Sequence, residues 1–385
     1  MFGSRREFRP YLASLILKTV LYGSWLLGLF PFTFDSGRFQ LRRSRWLICY
    51  GLIINYFLMF LLVIIGTQHQ QRKKLEAFER NPVLESINIV IALMSTFSAV
   101  LIHFMNFWKS KKVQRIFKEL LDLEHKEFKE LNKTSCQTFN CFVIQKCFTI
   151  MGQLICFLTI NYGMPGNEPH FWLVLLSCVF QVSLNLNIMH YYVGILLIYR
   201  YVWMINEQLK EQVNRMKLNP TATSSRIKGL LFLYNRLLEL NKKLIAAYEL
   251  HMILILTSWL AGNIVVIYFL IVYGISMRKY SFFLIAFPQS LLINSWDFWL
   301  TITICNLTEK AGQKTSNLLQ LFSDLDYKDD QLERSVNEFA WLCSHRKFQF
   351  KLCGLFSVNY KMGFRMIINS ILYLLYLVQF DYMNL

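Results

Sequence analysis

Long apolar runs divide this chain from end to end, and they leave it little choice of solvent. Eight such segments stand out: Tyr11–Phe34, Trp46–Gly66, Leu84–Phe107, Phe142–Tyr162, Phe171–Tyr199, His251–Tyr273, Phe282–Cys305 and Met366–Phe380. Most approach or exceed the ~18 residues that mark a helix able to cross a bilayer. Only 17% of the 385 residues are charged, against about 25% in an ordinary soluble protein. The expected fold class is therefore an all-α membrane protein. A formal net charge of +17 could suit nucleic acid, but the basic residues sit between the apolar runs. There, membrane topology and anionic headgroups account for them. The expected partner is the lipid bilayer, and no nucleic acid.

Charge also sets the orientation. Arg5, Arg6 and Arg9 precede the first segment and Arg38, Arg42, Arg43 and Arg45 follow it, while Gly23, Gly28 and Pro31 interrupt it. If both flanks stay in the cytoplasm, this segment is re-entrant or interfacial. Loops 108–141, 200–250 and 306–365 then become cytoplasmic and carry eight, nine and nine Lys and Arg. The outer loops carry four (Arg72, Lys73, Lys74, Arg80), none, and two (Arg278, Lys279). That agrees with the positive-inside tendency; an eight-span chain of reversed polarity is the alternative. The reading is seven transmembrane helices with a cytoplasmic N-terminus and an extracellular C-terminus.

The cytoplasmic loops carry helical periodicity: Lys111–Glu130, Arg226–Tyr248 and Asp329–Cys343 each place apolar residues on one face among Lys, Arg and Glu. They are expected to extend the spans below the membrane and pack on each other, with a turn at Asn219-Pro220; membrane-surface helices are the alternative. The expected organisation is residues 1–45 as the N-terminal segment, 46–305 as six spans with the ligand-binding region, 306–362 as anchor helices and 363–385 as the last span with its short tail.

The last apolar segment carries a polar stripe. Arg365, Asn369, Leu372, Tyr376 and Gln379 recur at spacings of four, three, four and three, which places them on one helix face. A lone helix in lipid has no use for such a stripe, whereas one lining a water-filled path shared among subunits does. Asp381 follows just outside.

These residues carry a resemblance. Tyr373, five apolar or aromatic residues and Gln379-Phe380 resemble the C-terminal signature of insect gustatory receptors, with Leu372 where the family has Thr. The stretch Ser24-Trp25-Leu26-Leu27-Gly28-Leu29-Phe30-Pro31-Phe32, followed by Arg42-Arg43-Ser44-Arg45-Trp46, is similar to the opening of fly bitter-type members. The resemblance implies a tetrameric, ligand-gated, non-selective cation channel in the plasma membrane of gustatory neuron dendrites. It also implies a small-molecule tastant, a homo- or hetero-tetramer with other gustatory receptor subunits, and a pore lined by the last span. Carried over, the signature positions at the pore are Tyr373, Gln379 and Phe380, with Tyr376 at the family's gate. The stripe itself adds Asn369 and Leu372 to the expected lining, and four Asp381 carboxylates just outside would attract cations to the outer mouth. Packing on a neighbouring span for Tyr376 and a solvated helix end for Asp381 are the alternatives. Four Gln379 amides would replace part of a cation's hydration shell without holding it tightly.

For the ligand region, a pocket for a mostly apolar molecule needs aromatic walls and a few polar groups. Asn161, Tyr162, Trp172, Gln181, Tyr268, Tyr273, Gln289 and Trp296 are the candidates, ordinary helix packing being the alternative for each. Asp297 is an ionisable residue inside a span and so a functional candidate. At ~1.5 Å per residue it lies about 12 Å from that segment's inner end, a shallow depth comparable with that of Lys146, and the pair is expected to be structural. His190 is expected to hydrogen-bond between helices.

Other functions find less support. A G-protein-coupled receptor, the runner-up, would need an outside N-terminus; neither an Asp/Glu-Arg-Tyr triplet nor Asn-Pro-x-x-Tyr is present. The seven histidines are scattered without HxxxH or HExxH spacing, and the nine cysteines include no CxxC, so neither an enzyme, a metal site nor a cofactor is expected. A transporter would show repeats and broken helices.

Overall fold

The structure, a computed structural model, describes residues 4–35, 40–69, 81–128, 136–163, 171–218, 224–276, 286–323, 330–354 and 356–383. Helix α1 spans Ser4–Leu26, and a hairpin of β1 (Phe32–Asp35) and β2 (Gln40–Arg43) leads to α2 (Arg45–His69). Then come α3 (Pro82–Leu123), α4 (Gln137–Gly163), α5 (Phe171–Leu218), α6 (Ser224–Ser276) and α7 (Ala286–Ser323). Helix α8 (Asp330–His345), a short hairpin of β3 (Lys351–Leu352) and β4 (Phe356–Ser357), and α9 (Tyr360–Met383) complete the chain. The expected turn at Asn219-Pro220 lies outside the described residues.

Helix lengths explain the architecture. Helix α5 has 48 residues and α6 has 53, about 72 and 80 Å at 1.5 Å per residue, whereas a bilayer core is about 30 Å thick. Each therefore crosses and continues well beyond. Helices α3, α4, α5, α6 and α9 are long and apolar enough to span, and α2 is apolar over Arg45–Leu61. Helix α7 completes the seven-helix membrane fold although Asp297 dilutes its apolar run. Helix α1 is not apolar enough to count among the spans.

The main core lies in the cytoplasmic extensions. Val113, Ile116 and Leu120 of α3, Leu230, Leu237 and Leu244 of α6, and Leu332, Val336 and Phe339 of α8 are buried in one continuous cluster. The three amphipathic stretches thus extend spans or pack on them. Where α3 ends, Glu124–Phe128 forms a π-helical turn. Tyr201 donates its hydroxyl to the Leu120 carbonyl at 3.1 Å, Phe128 stacks on Tyr201 at 4.6 Å, and Arg200 pairs with Glu124 at 3.0 Å. The Leu120 carbonyl thus accepts from both the Glu124 N–H and the tyrosine hydroxyl where α3 gives way to the turn.

Helix α1 joins the inner half of the bundle. Ser24 lies 2.8 Å from the His190 ring, and Phe30 packs edge-on against Phe117. The histidine is the inter-helix bonder expected. The turn after α1 depends on Gly28 at φ +64, where an added Cβ would sit 2.5 Å from the Gly51 Cα. A side chain there would meet both backbone strain and a steric wall.

Candidate pore helix and its supports

Helix α9 touches the rest of the chain along one seam. Gly363 is buried, and Met366, Ser370, Leu374, Leu377, Val378 and Asp381 are half-buried. At about 100° per residue, Arg365, Asn369, Leu372, Tyr376 and Gln379 centre on the opposite side. All five are exposed. The chain therefore packs its last helix by the small and aliphatic face and leaves the polar stripe exposed.

The helix is anchored at its inner end by aromatic packing. Trp299 of α7 stacks on Tyr360 at 5.3 Å and meets Phe364 edge-on at 5.4 Å. A Cβ on Gly363 would come within 2.9 Å of the Trp299 ring and 2.8 Å of Ile302. Glycine is what lets α9 approach α7 this closely.

Farther out, Tyr373, Tyr376, Gln379 and Phe380 edge a groove of about 620 Å³ whose other wall is Ile87 and Ile91 of α3 and Ala261 and Ile264 of α6. Asp381 departs from its expected position at a pore mouth. It lies on the packed side of α9, and both its oxygens accept from the Asn81 amide, at 2.9 and 2.8 Å. The reason is helical phase: two residues past Gln379 is about 200° around the helix.

The ligand candidates are not gathered as a set. Tyr162, Trp172, Gln289 and Trp296 lie on exposed helix faces. Asn161 donates to the Phe157 carbonyl of its own helix at 2.9 Å, and Gln181 is half-buried. Tyr268 is fully buried in a small outer cluster with Leu84 and Val272, and the side chain of Tyr273 lies outside the described residues. The physical reason is that aromatic residues at span ends serve the bilayer interface as readily as a cavity.

Asp297 and Lys146 pair as expected, at 2.8 Å. The structure adds Thr149, whose hydroxyl donates to Asp297, and the Tyr192 ring, with its centroid 5.1 Å from the ammonium. His103 was not singled out by its sequence position. Its ring lies 2.7 Å from the Asn55 amide oxygen and 3.0 Å from the Ser183 hydroxyl, stitching α2, α3 and α5. Asn81 was missed too, although Asn-Pro before an apolar run is a readable helix start.

The profile of the 7tm chemosensory receptor family matches residues 17–384. Gustatory receptor 22b of Drosophila melanogaster is 65% identical over 387 residues, covering 100% of both chains. The chain belongs to the insect gustatory receptor family. Another Drosophila melanogaster relative, the gustatory receptor for bitter taste 22e, is 42% identical with 98% of each chain covered. Among solved structures, this gustatory receptor is similar in fold to the insect olfactory receptor OR5 from Machilis hrabei in complex with eugenol. The TM-score is 0.69 with 10% identity, covering 96% of this chain and 99% of that one. This gustatory receptor is thus a multi-pass membrane chemosensory receptor, and its relatives are receptors and not enzymes.

Proposed function

We propose that this gustatory receptor is a ligand-gated, non-selective cation channel in which four subunits surround an axis lined by α9. One observation carries the reading: the polar stripe of α9 lies directly opposite its packing seam. In lipid, Asn369 and Gln379 would leave amides without partners, a costly arrangement. Turned toward three copies around water, the same groups are solvated and form rings.

In this arrangement Gln379 offers cations four amide oxygens. Tyr376, one turn deeper, closes the path with four aromatic rings that exclude water, and Leu372 and Asn369 continue the lining inward. Tyr373 and Phe380 edge the outer groove. The ligand is a small, mostly apolar tastant held among the outer halves of the spans, with Asn161 and Gln181 the half-buried amides able to meet it. The resemblance to a bitter-taste receptor supports a bitter ligand, and partner subunits in a gustatory neuron complete the assembly.

The test is Gln379→Arg. Four guanidinium groups in one ring repel cations, so tastant-evoked current should fall to background while the amount at the cell surface is unchanged. Unaltered permeation in that variant overturns the pore assignment.

A further inference from the structure

The outer end of α9 is held by a contact between residues 300 positions apart in sequence. Asn81 caps α3: its Oδ1 accepts the Leu84 N–H at 2.9 Å. That acceptor role fixes the amide orientation and directs Nδ2 at Asp381, where it meets both carboxylate oxygens. A hydrogen bond to an ionised acceptor is roughly twice as strong as a neutral one. Tyr268 of α6 is fully buried beside them. Its hydroxyl makes no hydrogen bond of good geometry, yet lies close enough to Asn81 and Asp381 to interact electrostatically.

The apolar packing at this end is local. Leu374, Leu377 and Val378 pack against the small cluster of Leu84, Tyr268 and Val272, which is separate from the main core. The inner end, by contrast, is clamped between Trp299 and the cytoplasmic core. The Asn81–Asp381 contact therefore adds a directional restraint, outside the main core, to the small apolar cluster at this end. Asp381 lies two residues past Gln379, so any displacement that parts it from Asn81 also moves the Gln379 ring.

We infer that Asn81, Asp381 and Tyr268 form a latch that ties the outer end of the pore helix to α3 and α6 in the resting receptor, and that opening releases it. The inference rests on the channel reading. The latch joins two helices that bound the ligand region to the helix that lines the path, so a ligand that shifts α3 against α6 acts on the path directly. Asn81, Asp381 and Tyr268 are positioning residues: they set where Gln379 stands without themselves lining the path.

The discriminating variant is N81D. Aspartate caps a helix as well as asparagine does, so α3 keeps its start, but the donor is lost and two carboxylates face each other. In cells expressing the full chain with any partner subunits it needs, N81D should raise ligand-free cation uptake about tenfold, the size of change that losing one charge-assisted hydrogen bond produces. The exchange N81D/D381N turns donor and acceptor around and should restore both the low resting uptake and the melting temperature of the purified receptor. Wild-type melting of N81D would show that no latch exists. A lowered melting temperature without leak would reduce the contact to a structural one, and either result overturns the inference. Adding Q379R to N81D separates the two readings: the leak should vanish. A leak that persists would leave the latch standing and refute the pore proposed for α9.

Discussion

Lys146 and Asp297 form a bidentate ion pair inside the membrane-spanning bundle, with both oxygens 2.8 Å from the ammonium and the lysine side chain 1% exposed. Thr149 occupies one carboxylate oxygen and the Tyr192 ring shields the ammonium. The pair joins α4 to α7, and two residues beyond Asp297 comes Trp299, on which α9 rests. A charge that would bar α7 from the bilayer is thereby neutralised by a neighbouring helix.

Breaking the pair from one side should be far worse than removing it. Lys146→Met strands a carboxylate, a loss of about 3–5 kcal/mol for a buried pair, and surface expression should collapse. The double change K146M/D297L should recover most of it. Biotinylation of surface receptor measures both, and a single variant that reaches the surface normally would remove the structural role given to the pair.

Gly363 should tolerate no enlargement. Gly363→Val places methyl groups where Trp299 and Ile302 already stand, prying the inner end of α9 from α7. The expected result is a melting temperature lowered by several degrees, with W299A/G363V milder than G363V alone. Equal melting of G363V and wild type in detergent would contradict the close approach.

Thiol labelling reads the orientation. Cys353 is exposed in the turn between β3 and β4, whereas Cys343 is buried in the cytoplasmic bundle, where burial pushes its thiol up to about 11. The thiolate reacts, so at pH 8 only about one Cys343 in a thousand is reactive, and labelling there should climb only as the pH approaches 11. Cys353 should react with a membrane-impermeant maleimide only after permeabilisation. Labelling of Cys353 in intact cells would place this loop outside and reverse the orientation.

The sequon at Asn306 should remain bare. Thr308 is fully buried and bonded to the Ile304 carbonyl in mid-helix, and a cytoplasmic extension never meets the lumenal enzyme that glycosylates the emerging chain. The other sequon, Asn132-Lys133-Thr134, is removed by N132Q, so glycosidase treatment should leave the mobility of that variant unchanged, and a shift would contradict the cytoplasmic placement of α7's extension.

The amphipathic cytoplasmic helices were legible because their apolar residues recur at helical spacing, and Leu120, Leu237 and Phe339 became core. The stripe from Arg365 to Gln379 was legible for the same reason. Asp381 was not: its position next to Gln379 in sequence suggested a shared mouth, but helical phase turns it toward Asn81. For Trp172 and Trp296, which lie on exposed helix faces, the sequence is equivocal for another reason. Their residue type fits a pocket wall and a lipid-facing surface alike, and nothing local separates the two.

By itself the order of residues determined the solvent, the number and direction of the spans, and which face of the last helix is polar, since these depend on hydrophobicity, charge and period along one segment. Tertiary structure alone decided that Asn81 holds Asp381, that Thr149 completes the Lys146–Asp297 pair, and that Gly363 admits Trp299. Each of these joins distant positions through directional contacts a few ångströms long, and no pattern within a segment records which partner will arrive.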